Sequence, residues 1–157
     1  MIEMVVVMAI LAIAAAIVVP MVSSAGTMQL RSAVNMVAAD LEYAKSMSIS
    51  RGQKYSVVFD KTAEAYWIID DGGDTIQHPV KKGFLYRTDF RTDSRLDRVE
   101  ISDANFDGTN QVSFDSLGSP FNGTGANLNS GVITLRAAGV TRTVRVESVT
   151  GYISISN

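Results

Sequence analysis

The acid Glu3 stands at the lip of a run, Met4 to Val22, that carries no other charge. An ionised carboxylate left unpaired in hydrocarbon costs about 3 kcal/mol even on lenient insertion scales, so Glu3 implies a partner or water. A second candidate is Ser102 to Gly108, "SDANFDG", where Asp103, Asn105 and Asp107 alternate and Gly108 follows. Three such oxygens resemble the front of a calcium loop. The bidentate acid that would close it is missing, because Phe114 stands at the twelfth place and Asp115 one place late. Asx-rich turns between strands also arise for conformational reasons alone, and that reading stands beside the calcium one. His78 is the only histidine and cysteine is absent, so no catalytic triad, thiolate zinc site, thiol chemistry or disulfide can be assembled, and no enzyme is expected. Lys81, Lys82, Arg87, Arg91, Arg95 and Arg98 interleave with Asp89, Asp93 and Asp97, while Arg136, Arg142 and Arg145 lie on or beside the last strands. They read as a solvated mixed-charge surface, and nucleic acid is not expected as a partner. The sequon Asn122-Gly123-Thr124 reads as part of an exposed loop.

These residues sit on 157 residues with a net charge of −2, enough for one globular domain and without a charge bias toward a polyanion. The run from Met4 to Val22 is long enough to cross a hydrocarbon core and is a membrane helix candidate. A cleaved secretory signal is the rival, but no Lys or Arg precedes the run. Beyond it Leu30, Val34, Val37, Leu41 and Ala44 recur at helical spacing, and the stripe ends near Ser50, before Arg51 and a glycine stop at Gly52. The two segments read as one long helix, apolar all round and then one-sided, with Pro20 at the joint, where it can kink or locally unwind the helix.

From Lys54 onward the period is two. Strands are expected at 55–59, 65–69, 99–101, 111–114, 132–135, 143–146 and 152–155, with a turn-rich, mobile stretch from Ser116 to Gly131. The fold class is α+β: a long N-terminal helix packed on one or two antiparallel sheets. No internal repeat is evident.

The residues resemble a family, the type IV pilin-like proteins, and within it the GspH/FimT type of minor pilin or pseudopilin. Ile2-Glu3 leads an apolar run to Pro20. "AADLEYAKSMSISRGQKYSVVF", from Ala38 to Phe59, is similar to the family's helix that runs into Arg-Gly and the first strand. "VSFDSLGSP", then "GVITLR" and "TVRVESVTGYISI", resemble its Phe-x-x-x-Gly element, here Phe114 to Gly118, and its last strands around a Gly, here Gly151. Family precursors carry a basic leader ending in Gly; Met1 stands directly before Ile2, so the sequence reads as truncated or mis-started. The DNA-uptake members' basic tail is absent, since the chain has Gly151-Tyr152-Ile153-Ser154-Ile155 there.

The resemblance implies three segments: 1–22 as transmembrane and assembly helix, 23–52 as its amphipathic continuation, and 53–157 as a β-rich soluble domain. It implies a structural subunit of a type IV pilus or type II secretion pseudopilus, anchored once in the bacterial inner membrane with its domain in the periplasm. A charge-bias rule applied to Arg31 and Lys45 would instead put that domain in the cytoplasm. Other pilin subunits, a prepilin peptidase and an assembly platform are the implied partners, and no cofactor is expected beyond the calcium candidate. Glu3 and Pro20 become assembly residues. In a helix bundle each Glu3 can face a neighbour's N-terminal ammonium; the alternative is that it sits ionised and wet at the lipid interface. The alternative function is a pilus-associated module binding DNA, an exported protein or a surface.

Overall fold

The computed structural model describes residues 2–156, with the side chains of 15–24 left aside. One helix, α1 (Ile2–Arg51), is followed by nine strands: β1 (Tyr55–Asp60), β2 (Ala65–Ile69), β3 (Arg87–Asp89), β4 (Glu100–Phe106), β5 (Gln111–Phe114), β6 (Pro120–Asn122), β7 (Gly131–Ala137), β8 (Val140–Val146) and β9 (Ile153–Ser156). The α+β class and the antiparallel pairing are as expected. Helix α1 is continuous through Pro20, so local unwinding is not seen there. It ends at Gly52, whose φ of 65° is the left-handed turn that glycine adopts without a Cβ clash.

The strands form two antiparallel sheets, ordered β3-β2-β1-β5-β6 and β4-β7-β8-β9. The β1–β2 hairpin turns at Lys61 to Glu64, where Asp60 Oδ1 accepts from the amides of Thr62 (2.8 Å) and Ala63 (2.9 Å). Leu30, Val34, Val37, Leu41 and Ala44 are fully buried, and α1 lies against strands of both sheets: β1 and β5 of one, β7, β8 and β9 of the other. Phe59, Tyr66, Phe90, Phe106, Ile133 and Leu135 fill the core behind them.

Two strands were not foreseen. β3 is short and polar, and β6 lies inside the stretch expected to be open and mobile. That stretch is organised: Asp115 Oδ1 accepts from the amides of Leu117 (2.9 Å) and Ser119 (2.8 Å), β6 pairs with β5, and Leu128 is buried. The sequon reading is corrected with it. Asn122 is only 7% exposed, and its Oδ1 accepts from Thr124 N, Thr124 Oγ1 and Ala126 N, so the side chain closes a turn rather than projecting from a loop.

Candidate functional site

Every described side chain from Ile2 to Ala14 is exposed, among them Met4 (74%), Met8 (72%) and Ile13 (63%). At 3.6 residues per turn, consecutive exposed apolar positions cover the whole circumference of the helix, not one stripe. A surface of that kind needs a non-aqueous cover. Glu3 sits in the first helical turn, where a negative charge complements the helix dipole. The expected membrane span, Met4 to Val22, and the side chain of Pro20 run into residues 15–24, outside the described side chains. Among the described residues, no helix is long and apolar enough to cross a membrane.

The globular part begins where α1 first touches it. A Cβ on Gly26 would meet Ala138 Cβ at 2.9 Å, so the helix passes the β7–β8 turn at glycine distance. Three residues on, Gln29 Nε2 donates to Ser94 O (3.4 Å) and Asp97 Oδ1 (3.0 Å), while its Oε1 accepts from the Arg98 amide (3.0 Å). One side chain thus ties the loop between β3 and β4 to the helix. Near the other end Lys45 Nζ donates to Gly151 O (3.0 Å), and Ile49 packs on Gly118.

Between these ties lies a cleft of about 510 Å³ lined by Asp40, His78, Lys81, Tyr86, Asp93 and Arg95, among others. Its floor is Asp40, whose oxygens accept from Tyr66 Oη (2.6 Å) and Tyr86 Oη (2.9 Å). Burial pushes the Asp40 carboxyl up from its ordinary 3.8, against the pull of the two phenol hydrogen bonds and of His78. Burial also pushes the Tyr66 and Tyr86 phenols up, and the facing Asp40 charge adds to it. The Tyr86 ring is stacked between Tyr43 (5.3 Å) and His78 (4.7 Å). At the rim, Arg95 holds the Asp93 carboxyl down at about 2 through its side-chain hydrogen bonds. Through Asp40 the cleft ties Tyr86, and with it the stacked His78 ring, to the helix.

A model of the family described as type II transport protein GspH matches residues 33–150. The chain belongs to this family. Among solved structures, the fold is similar to the minor pseudopilin EpsH from the Type 2 Secretion System of Vibrio cholerae, at 12% identity and a TM-score of 0.59, over 80% of this chain and 94% of that one. It is also similar to the type IV minor pilin FimU of Pseudomonas aeruginosa, at 19% identity and a TM-score of 0.53, over 82% and 88% of the two chains. No curated protein sequence matches. The GspH family and the fold are those the motifs implied.

In this GspH-family chain the motif glycines meet in space. Gly118, at the end of the Phe-x-x-x-Gly element, and Gly151, between the last two strands, lie against each other, and the Phe114 ring lines the same contact. The calcium candidates Asp103, Asn105 and Asp107 line one surface cavity of about 360 Å³ with Gly108 and Ser130. Asp103 and Asn105 lie exposed on β4, and Asn105 Oδ1 accepts from Gly108 N (2.8 Å). Asp107, at φ 51°, uses both carboxylate oxygens on the amides of Asn129 (2.7 Å) and Ser130 (3.0 Å), which joins the β4–β5 turn to the start of β7. Among the described residues no group of three acids or histidines converges as metal ligands do. Arg136 pairs with Glu100 (3.8 Å) on the exposed face of the second sheet, and Arg87 stacks over Trp67 at 5.0 Å. Sequence reasoning missed Asp40 and Gln29. Each falls off the buried stripe, and only the folded loops bring their partners to them.

Proposed function

We propose that this GspH-family chain is a structural, non-enzymatic subunit, a minor pilin or pseudopilin of a type IV pilus or type II secretion pseudopilus, that assembles through its first helix. The observation supporting this is the exposed apolar circumference of Ile2 to Ala14, joined to a domain whose helix stripe is already covered. Such a segment is satisfied first by lipid and then by the same segments of neighbouring subunits. In this reading residues 1–22 anchor and assemble, 23–52 connect, and 53–157 stand outward, in the periplasm before assembly and on the filament after it. A prepilin peptidase and an assembly platform act on the chain. In the filament Glu3 faces a neighbour's N-terminal ammonium, an attraction far stronger in low dielectric than in water, although desolvation takes back much of the gain.

The test is Glu3→Gln beside Glu3→Ala in the full-length gene product. Both leave membrane insertion intact, because both make the segment less polar, and both lower incorporation into filaments read by shearing and blotting. Gln keeps size and hydrogen bonding, so a defect as large as that of Ala assigns the effect to charge. Normal incorporation of either variant overturns this role for Glu3.

A further inference from the structure

His78, the chain's only histidine, caps the turn that follows it with its own ring. Nδ1 accepts from the amides of Val80 (3.1 Å) and Lys81 (3.2 Å), two and three residues on, while the intervening Pro79 has no amide to offer. The neutral ring therefore carries its proton on Nε2. Carboxylates do this work in other turns: Asp60 Oδ1 serves the amides of Thr62 (2.8 Å) and Ala63 (2.9 Å), and Asp115 Oδ1 those of Leu117 and Ser119. Imidazole differs from a carboxylate in one respect. It changes charge between about pH 8 and pH 5, and protonation converts Nδ1 from an acceptor into a donor.

Below this turn the hairpin is closed by contacts that do not use the Nδ1 lone pair. Gln77 bridges Leu85, His78 N donates to Phe84 O (2.8 Å), and Tyr86 N donates to Ile76 O (2.7 Å). The ring itself stacks on Tyr86 (4.7 Å), whose hydroxyl donates to Asp40 (2.9 Å). Beyond that neck residues 79–83 are all exposed, and the further bond that closes them is Phe84 N to Lys81 O (3.1 Å). We propose that His78 is an acid-release latch: a proton on Nδ1 takes the acceptor from both amides and frees 79–83, while the neck and the domain stay folded. The charges around the ring suit this. Asp40 on α1 is close enough to feel the ring's charge and gives the imidazolium a counter-charge. Across the cleft Asp93 is engaged by Arg95, and on β3 Arg87 lies over Trp67 and Asp89 holds the Arg91 amide. Lys81, on the turn itself, repels an imidazolium and adds to the release. The charged ring stays over Tyr86 and Asp40, and the turn lifts off it. Val80, 82% exposed between Pro79 and two lysines, then passes from a fixed surface into a mobile loop. The device acts within one domain and does not depend on how the chain assembles.

Because His78 is the only histidine and cysteine is absent, the ring and one introduced thiol are each unique reporters. In the full chain, solubilised in mild detergent, nitrogen NMR of isotopically labelled histidine shows a bare Nδ1 at about pH 8 that gains a proton on acidification. A nitroxide on Val80→Cys is fixed at the upper pH. The ratio of mobile to fixed label then rises about tenfold with the same midpoint as the ring, the equilibrium equivalent of one ordinary hydrogen bond. His78→Asn keeps an acceptor that does not titrate and leaves the label fixed throughout. His78→Phe keeps a ring on Tyr86 without an acceptor and leaves the label mobile throughout. Circular dichroism is unchanged over the range. The latch is overturned by a protonated Nδ1 at the upper pH, by a label whose mobility does not follow the ring, by a rise that survives in His78→Asn, or by a fixed label in His78→Phe. Loss of the circular dichroism signal over the same range marks general unfolding and overturns it as well. The two titrations with His78 intact decide the matter even where a variant fails to fold.

Discussion

A Cβ placed on Gly151 would stand 2.7 Å from the carbonyl oxygen of Gly118. The obstacle is backbone, which cannot rotate aside, and Gly151 also has a φ of 58°. Gly151→Ala therefore combines a left-handed penalty with overpacking and costs about 3 kcal/mol of stability. Gly73→Ala is the control: its φ is 87° but nothing lies within 4 Å, so it costs about 1 kcal/mol. Urea unfolding of the two variants checks the difference, and equal losses would show that the Gly118–Gly151 approach is not tight.

Tyr66→Phe removes the shorter of the two phenol bonds to Asp40 and lowers stability at pH 7 by about 2 kcal/mol, the range for hydrogen bonds to charged groups. The pH dependence has a definite sign. Tyr66 and Tyr86 hold their protons more tightly folded than unfolded, so their contribution is complete below their ordinary 10 and is lost as pH rises beyond it. Asp40, also raised, contributes in the same direction from its ordinary 3.8 upward. Wild-type stability falls above pH 10, and it falls less steeply in Tyr66→Phe. Identical alkaline slopes would exclude Tyr66 as a source.

Ser56 and Ser113 face each other across β1 and β5, buried, with Oγ to Oγ at 2.8 Å. Ser113→Ala strands the Ser56 hydroxyl and costs about 1 to 3 kcal/mol, whereas the double variant Ser56→Ala with Ser113→Ala is close to neutral. A double-mutant cycle read by thermal unfolding decides it. Simple addition of the two single losses would contradict the pairing.

Asp107→Ala lowers stability by about 2 kcal/mol with no calcium present, because two amides lose their acceptor. Adding and then chelating calcium leaves the wild-type melting temperature unchanged. A calcium-dependent rise that Asp107→Ala abolishes would instead make the carboxylate a ligand.

The sequence made the helix and the β1–β2 hairpin legible because their apolar periods are long and regular. Stripe residues Leu30 to Ala44 are all buried, and β2 spans the expected residues. β3 and β6 were not legible, since Arg87-Thr88-Asp89 and Pro120-Phe121-Asn122 are too short to show a period. They exist because a longer strand offers its edge. The Asp40 cleft was hidden for another reason. Asp40 lies on a polar flank of the helix, and its phenol partners are 26 and 46 residues away in sequence. Burial of a carboxylate is a property of what folds over it, which local pattern does not carry. The meeting of Gly118 with Gly151 is of the same kind: two motifs visible separately whose common purpose appears only in three dimensions.

The helix stripe is covered in part by β7, β8 and β9, which come from residues 131–156, made long after the stripe itself. Synthesis therefore exposes the apolar stripe first and supplies its cover later. Pairing of Tyr55 with Phe114 also demands a long loop closure before any reward, so folding is slow as well as late. A nascent chain in that condition is vulnerable to aggregation and proteolysis until those strands arrive. Loss of even the short β9 by premature termination leaves part of the core uncovered, and the product is then prone to degradation.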